Sequence, residues 1–477
     1  MSSKSVIVIG GGLAGLSSGV ALAEAGFRVR LLEKRPHLGG RAASYVLPSG
    51  DHVDNCQHVT LGCCTNLEDF YRRVGAADKI KFFDRLYFAA PDGRRGIMQA
   101  AALPAPLHMA FSFATFPLLG WADKTAIVKA LLSIALGGGR PADSLPSPSN
   151  GGIGISMLSW LQKHRQTDRA IRRFWEVILV SALDEELDRI EARYGIDVFW
   201  KAFLSTRGGY RVGIPRVPLG VLYDGCKDAI TKRGGDVQLR AGVRGFVVAS
   251  GRVEGVERED GSVETADYYV AAVPQNILPG LLPSDVVERE PVFSNLSKLR
   301  SSPITGVHLW FDRPVMTEPF LTLLDSTTQW VFNKTQLYGE GAESGGQYLQ
   351  LVISASYNLT QRSRQEIIGL CIDELREVLP ATREAALVKG TVVKEMCATV
   401  SPAPGSDRWR PKPKSPLAGL FLAGDWTATG WPSTMEGAVR SGYLAAEAIL
   451  FHTGASRTFL RPDLRPEGLA RFFAHES

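Results

Sequence analysis

Cysteine is scarce and unpatterned in this chain of 477 residues: six thiols, at positions 56, 63, 64, 226, 371 and 397, with no C-x-x-C pair. That spacing excludes a disulfide framework and matches no zinc finger or ribbon, so reduced thiols of a cytosolic protein and no metal site are expected. A strong charge imbalance is missing too. Lys plus Arg is 54 against 49 for Asp plus Glu, a net +5, too weak and dispersed to indicate a nucleic-acid partner. The one dense basic stretch, Arg408 to Lys414 (RWRPKPK), carries two prolines and reads as a solvated loop or an anionic-membrane contact. No repeat period is visible. The apolar run after MSSKS is too short for a secretory segment.

A long uninterrupted hydrophobic run is also lacking. The nearest approach is residues 96–122, which hold no Asp, Glu, Lys or Arg but are broken by Pro104, Pro106 and Pro117, arguing against one membrane-spanning helix. Two readings fit this segment, rich in Phe111, Phe113 and Phe116: a buried core around a lipophilic pocket, or a monotopic dip into a membrane surface through which a greasy substrate enters. The expected location is the cytoplasm, with peripheral contact at the inner face of the cytoplasmic membrane under the second reading.

Glycine is plentiful, with 49 residues in clusters rather than at a fixed period, which points to tight turns around a ligand. Val6 to Ile9 predicts a strand, Leu13 to Ala25 a helix and Arg28 to Leu32 a second strand, a βαβ unit. Between them stands Gly10-x-Gly12-x-x-Gly15, and Glu33 closes the second strand. The glycines permit the turn, let the backbone approach a pyrophosphate at a helix N-terminus and let helix and strand pack closely. An acidic residue at 33 accepts from a ribose hydroxyl, which fits FAD or NAD better than NADP.

Further helices are expected at Asn66 to Val74, Asp123 to Leu136, Ile155 to Lys163 and Asp168 to Phe203, the last broken around 187–195. Pro141 to Gly154 reads as a loop. Strands at Val237 to Leu239, Val243 to Val248, Arg252 to Arg258 and Tyr268 to Val273 read as a sheet annex. Gly306 to Phe311 and Tyr348 to Ala355 are strand-rich around a helix at Gln365 to Val378. Leu417 to Leu450 is strand, Gly-rich turn and helix again. The expected architecture is α/β and α+β: a Rossmann-like FAD domain in pieces (1–95, 206–275, 411–455) interleaved with a helical apolar region (96–205), a mixed-sheet substrate domain (276–410) and a tail (456–477).

FAD rather than NAD is favoured by Gly39-Gly40-Arg41, shortly after the second strand, and by Gly424-Asp425-Trp426 and Glu436-Gly437 near the C-terminal end. On GGGLAGL, LEKRPHLGGRA and LAGDWTATGWPSTMEGAVRSG, the chain resembles the amine oxidase and phytoene desaturase superfamily of FAD-dependent oxidoreductases. VDNCQHVTLGCCTNLEDFYRRVG and KEMCATVSPAPGSDRWRP resemble its squalene-associated branch, the hydroxysqualene dehydroxylases of hopanoid-producing bacteria. The resemblance implies that Gly10, Gly12, Gly15 and Glu33 bind the adenosine and pyrophosphate half and that Arg41 helps hold the diphosphate. It implies that Val243 meets the adenine through its backbone, that Asp425 meets the ribityl and phosphate side, and that Thr434, Met435 and Glu436 open a helix whose N-terminus lies under the flavin, with Leu13, Ala14, Lys34, Gly39, Gly40 and Gly424 in the same cofactor site. Cys56 stands where desaturases carry glycine and fits the squalene-associated pattern.

The chemistry so implied is reductive removal of an allylic hydroxyl from a C30 isoprenoid alcohol to give squalene, hydride passing from flavin N5 to an allylic carbocation while an acid protonates the leaving group. His58 and Asp54 are the first candidates for that acid, His58 having a purely structural reading beside the catalytic one. Cys56, Gln57, Phe111, Phe113, Phe116, Trp175 and Trp431, with Trp200, are candidate pocket residues. No second G-x-G-x-x-G exists, since Gly152-x-Gly154 and Gly339-x-Gly341 lack the flanking pattern, which leaves the electron donor, NADPH or a reductase, unassigned. The alternatives are a squalene or phytoene desaturase on the same fold and a redox-silent prenyl carrier.

Overall fold

The computed structural model describes residues 4–47, 50–140, 154–339 and 345–474. The expected loop over 141–154 lies, except for Gly154, outside the described residues, as do Gly152 and Gly341.

Val6, Ile7, Val8 and Ile9 are all buried, so their strand must be covered on both faces, which is the situation of a parallel sheet. That strand, Ser5–Ile9, is the centre of a five-stranded sheet in the order Asp236–Gln238, Arg28–Leu32, Ser5–Ile9, Tyr268–Ala271, Leu420–Leu422, every pair parallel. The flanking strands correct the sequence expectation. The strands of Val237 and Tyr268 extend this sheet instead of joining a separate annex, and Tyr269, Val270 and Ala271 are buried. Only Val243–Ala249 and Arg252–Arg258, joined by Val263–Glu264, form an antiparallel annex. One face of the parallel sheet carries the helices Leu13–Glu24 and Met435–His452, joined where the Ser17 hydroxyl donates to the Val439 carbonyl at 3.3 Å.

A second sheet of seven strands holds Leu387–Val400, Ser301–Phe311, Gln347–Ile353, Trp330–Asn333, Phe320–Leu323, Arg85–Ala89 and Arg95–Gln99 in that order. Its two last strands come from 85–99, upstream of the helical region. Arg95–Gln99 alternates exposed and buried residues, as a half-covered edge strand does. The helix Arg364–Val378, opened by a Ser363 and Glu366 capping box, covers one face through Ile367, Cys371 and Leu375.

The helical region supplies Trp121–Leu136 and Met157–Lys163, and its buried residues form one apolar cluster with Phe88, Phe320 and Phe332 of the second sheet. The stretch 168–203 breaks at Asp184, in the left-handed region at φ 51°, and resumes at Ala192. Each half contains a wider π-type stretch, Ile171–Glu176 and Phe199–Leu204. Among the described residues no helix is long and apolar enough to cross a membrane. The segment after residue 455 is held down: the Arg461 amide donates to Asn66 Oδ1 at 2.7 Å, and Ala470 donates to the Ala105 carbonyl at 3.1 Å.

Candidate active site

A cavity of about 550 Å³ opens where the C-terminal ends of the parallel strands meet the second sheet. Gly10 adopts φ +109°, a conformation that strains any L side chain, and a Cβ there would lie 2.6 Å from the Ala272 carbonyl oxygen. A Cβ on Gly15 would lie 1.9 Å from the Gly10 carbonyl oxygen, so Gly15 sets how closely the helix approaches its strand and does not line the cavity itself. The turn at Gly39 pairs with the first turn, its amide donating to the Gly11 carbonyl at 2.8 Å. Gly12 caps the helix Leu13–Glu24 without a side chain, and no acidic residue occupies the first turn. Its amide donors and positive dipole end therefore face the cavity available to an anion.

The other walls carry matching groups. Glu33 is buried, its carboxylate accepting from the Gly11 and Arg35 amides at 2.6 and 2.7 Å. Arg41 donates to Asp425 Oδ1 at 2.5 Å and to the Ala398 carbonyl at 2.6 Å, and Ser433 donates to the other Asp425 oxygen. Thr434 caps the helix Met435–His452, accepting from the Gly437 amide at 3.1 Å. Gly10, Gly12, Leu13, Ala14, Lys34, Gly39, Gly40, Val243, Gly424, Thr434 and Met435 line the same space. A glycine-floored cradle at a helix N-terminus, an acidic group at the ribose end, an arginine and a second helix N-terminus fit FAD along its length. Glu436, grouped with these by the resemblance, points elsewhere. It accepts from the Asn66 and Leu67 amides at 3.2 and 2.8 Å, capping the helix Thr65–Arg73, because a carboxylate is stabilised by those orphan donors.

A second cavity of about 220 Å³ adjoins the first. Gln57, Val59, Ser181, Ala182, Val352, Ser354, Thr434 and Met435 border both. Its walls are mainly Leu61, Leu67, Leu86, Phe88, Val177, Ile178, Phe203, Trp330 and Phe332, with Trp431 at one side. Of the other expected pocket residues, Cys56 borders the first cavity. Phe111, Phe113, Phe116 and Trp175 border neither. Phe111 is 69% exposed, Phe113 packs on Phe174 and Phe116 on Phe88. Trp175 is core, its indole donating to Gln166 at 2.8 Å. Trp200 is likewise core, against Gly139.

The structure separates the two candidate acids. Asp54 is buried outside both cavities, where Lys334 donates at 2.9 Å, Tyr338 at 2.6 Å and Ser44 at 2.7 Å. Burial would raise its pKa, but the Lys334 ammonium and these donors outweigh burial and hold the carboxyl below its ordinary value. His58 does border the flavin-side cavity, with Nδ1 2.9 Å from the Cys56 carbonyl. Burial pushes its pKa below the ordinary value, and the Cys56 carbonyl and Asp54 only partly offset this. Burial pushes the Cys56 thiol up to about 12.

Sequence reasoning missed Asp184. It borders the first cavity beside Ser181 and Ala182, 3% exposed, with the Ala355 amide donating to Oδ1 at 2.8 Å and the Thr399 hydroxyl to Oδ2 at 2.9 Å. Burial raises its pKa well above the carboxylate range, and neighbouring Glu185 adds to the rise against those two hydrogen bonds. No sequence motif marks it.

Residues 13–450 match the family described as flavin containing amine oxidoreductase. The chain is 29% identical to the 15-cis-phytoene desaturase of Solanum lycopersicum, over 93% of this chain and 77% of that one. It is 27% identical to that of Synechococcus elongatus, over 93% and 95%, and 28% identical to a probable zeta-carotene desaturase of the same organism, over 93% and 98%. Among solved structures it resembles putrescine oxidase, with a TM-score of 0.71, 16% identity and coverage of 94% and 99%. It also resembles an oxidoreductase from Methanosarcina mazei, with a TM-score of 0.70, 18% identity and coverage of 94% and 100%.

Proposed function

The chain belongs to the flavin containing amine oxidoreductase family, and on that premise we propose that it exchanges hydride between FAD and a long apolar isoprenoid chain. The observation that carries this reading is the confluence of the two cavities: a cradle built for a dinucleotide opens, past Thr434 and Met435, into a space walled by aliphatic and aromatic side chains. FAD, when bound, supplies the hydride acceptor or donor. The chain's own residues orient it, through Glu33, Arg41 and Asp425, and the apolar walls exclude water from the carbon that reacts.

Desaturation of a carotenoid precursor is the first form of this reading, supported by the names of the relatives. Reductive dehydroxylation of hydroxysqualene is the second, favoured by one observation: the polar edge formed by Asp184, Ser354 and Thr399 along the flavin-side cavity, which a hydrocarbon gives nothing to bond. The reductive form needs a two-electron donor, NADPH or a reductase, acting on the flavin. Substrates of either kind dissolve in lipid, and an apolar exposed stripe supports peripheral membrane contact: Trp121, Val128, Leu132 and Leu136 on one helix face, with Leu103, Leu107 and Phe111.

The experiment is product analysis on purified flavoprotein. Oxidised protein is mixed with phytoene and photoreduced protein, under anaerobic conditions, with hydroxysqualene, while the flavin absorbance is followed. A flavin redox change coupled to a new isoprenoid product supports the proposal, and an unchanged flavin with both substrates overturns it.

A further inference from the structure

We infer that Asp184 donates the proton with which the hydroxyl departs in the reductive form of the proposed function. The inference rests on that form of the reading.

Four carboxyl groups border the flavin-side cavity: Glu33, Asp184, Glu395 and Asp425. Three are accounted for by the cradle. Glu33 is held by backbone amides, Asp425 pairs with Arg41, and Glu395 takes the Asn55 amide at 3.3 Å. Among the described residues Asp184 is held by no cation, only by the Ala355 amide and the Thr399 hydroxyl. A carboxylate so deeply buried without a cation is costly, whereas a neutral carboxyl is not.

The backbone adds a second, independent reason for neutrality. Asp184 is the C-cap of the helix Val177–Leu183, and the negative end of a helix dipole disfavours an anion there. The Thr399 hydroxyl suits either state, donating to a carboxylate and accepting from an acid. A neutral carboxyl in the wall of a cavity that leads into an apolar space is a proton donor placed where a hydrocarbon would have no use for one. The two acids suggested by sequence do not compete for the role. Asp54 is paired with Lys334 away from both cavities, and one nitrogen of His58 is committed to the Cys56 carbonyl.

In the step, the C–O bond breaks with its electron pair on oxygen, oxygen takes the Asp184 proton and leaves as water, and carbon takes hydride from reduced FAD, which is left oxidised. The Asp184 carboxylate then regains a proton from solvent. An allylic alcohol is the class this requires, because the carbon must bear positive charge as the bond breaks.

Asp184→Asn tests the assignment with little disturbance, since asparagine tolerates the left-handed backbone and keeps an acceptor for the Ala355 amide. Two readouts are taken. In the oxidised holoprotein at neutral pH, the infrared carbonyl band of a protonated carboxyl is expected in wild type, shifted by hydroxysqualene but not by squalene, and absent from D184N. In the photoreduced holoprotein with hydroxysqualene, wild type is expected to reoxidise its flavin and form squalene, and D184N to do so at least ~100-fold more slowly. A wild type without the band, or a D184N that forms squalene at the wild-type rate, overturns the role of Asp184 and leaves the hydride reading intact. A wild type inert toward hydroxysqualene that instead desaturates phytoene overturns the reductive reading and with it the role of Asp184, and one inert toward both overturns the hydride reading itself. If D184N fails to retain flavin, Thr399→Val is expected to shift the infrared band of Asp184, and an unmoved band counts against the assignment.

Discussion

Arg41 and Asp425 lie 384 positions apart in sequence and meet at 2.5 Å in the cradle wall. Removing one partner leaves the other partly buried and unpaired, a loss on the order of 2 kcal/mol. Arg41→Ala is therefore expected to weaken FAD binding by roughly thirtyfold, measured as flavin fluorescence released on dilution. Residues of this kind were legible because short motifs specify them. Gly10, Gly15 and Glu33 occupy fixed offsets around one turn, and the physical demand on each is local. Asp184 was illegible for the opposite reason, since its character comes from Ala355 and Thr399, which are remote in sequence, and from burial. Phe111, Phe113 and Phe116 show the converse error: apolar content does not say whether a ring faces a cavity, a core or solvent.

At the scale of elements, the loop that presents Cys56, Gln57 and His58 to the flavin side is tethered across the molecule. Lys334, at the start of the helix Lys334–Tyr338, is fully buried and donates to both Asp54 and Gln57, at 2.9 and 2.7 Å. Burial lowers the Lys334 pKa, and the Asp54 carboxylate counters the fall. Lys334→Met leaves a buried carboxylate without its cation, which costs about 3–5 kcal/mol. The expected result is a large drop in the urea midpoint, partly restored in Asp54→Asn/Lys334→Met. Most elements were readable from periodicity and turn residues, including both strands of the first βαβ unit. Strand partnership was not: Asp236–Gln238 is short, and the sheet it joins is decided by long-range pairing that its own residues do not encode, while Arg85–Ala89, which pairs with Phe320–Leu323, was not read as a strand at all.

For the whole molecule, acid is the expected weakness. His108 and His308 are buried, and burial lowers their pKa values from 6.5 to about 4 and about 3. Neither nitrogen of His108 has a hydrogen-bond partner among the described residues. The unfolded chain takes up protons below pH 6.5 while the folded imidazoles stay neutral, so stability is full above that value and falls as pH drops toward 4. His108→Phe is expected to make the decline of the thermal midpoint between about pH 7 and 5 shallower. The exposed stripe makes a second prediction at this scale. Phe111→Ser/Trp121→Ser, at positions 69% and 75% exposed, is expected to reduce sedimentation with phosphatidylglycerol vesicles while leaving the flavin spectrum unchanged.

The parallel sheet takes its edge strand from Leu420–Leu422 and its second cradle helix from Met435–His452, after everything else in the cavity wall has been made. A ribosome synthesises from the N-terminus, and domains generally form as their last necessary segment emerges. The glycine turn at Gly10 thus emerges long before Asp425 and Thr434 and must wait for them before it can hold a dinucleotide. Flavin acquisition becomes a late checkpoint of biogenesis, and a nascent chain stalled before residue 420 would present to chaperones the unpaired edge of Tyr268–Ala271 and the uncovered face of the helix Leu13–Glu24.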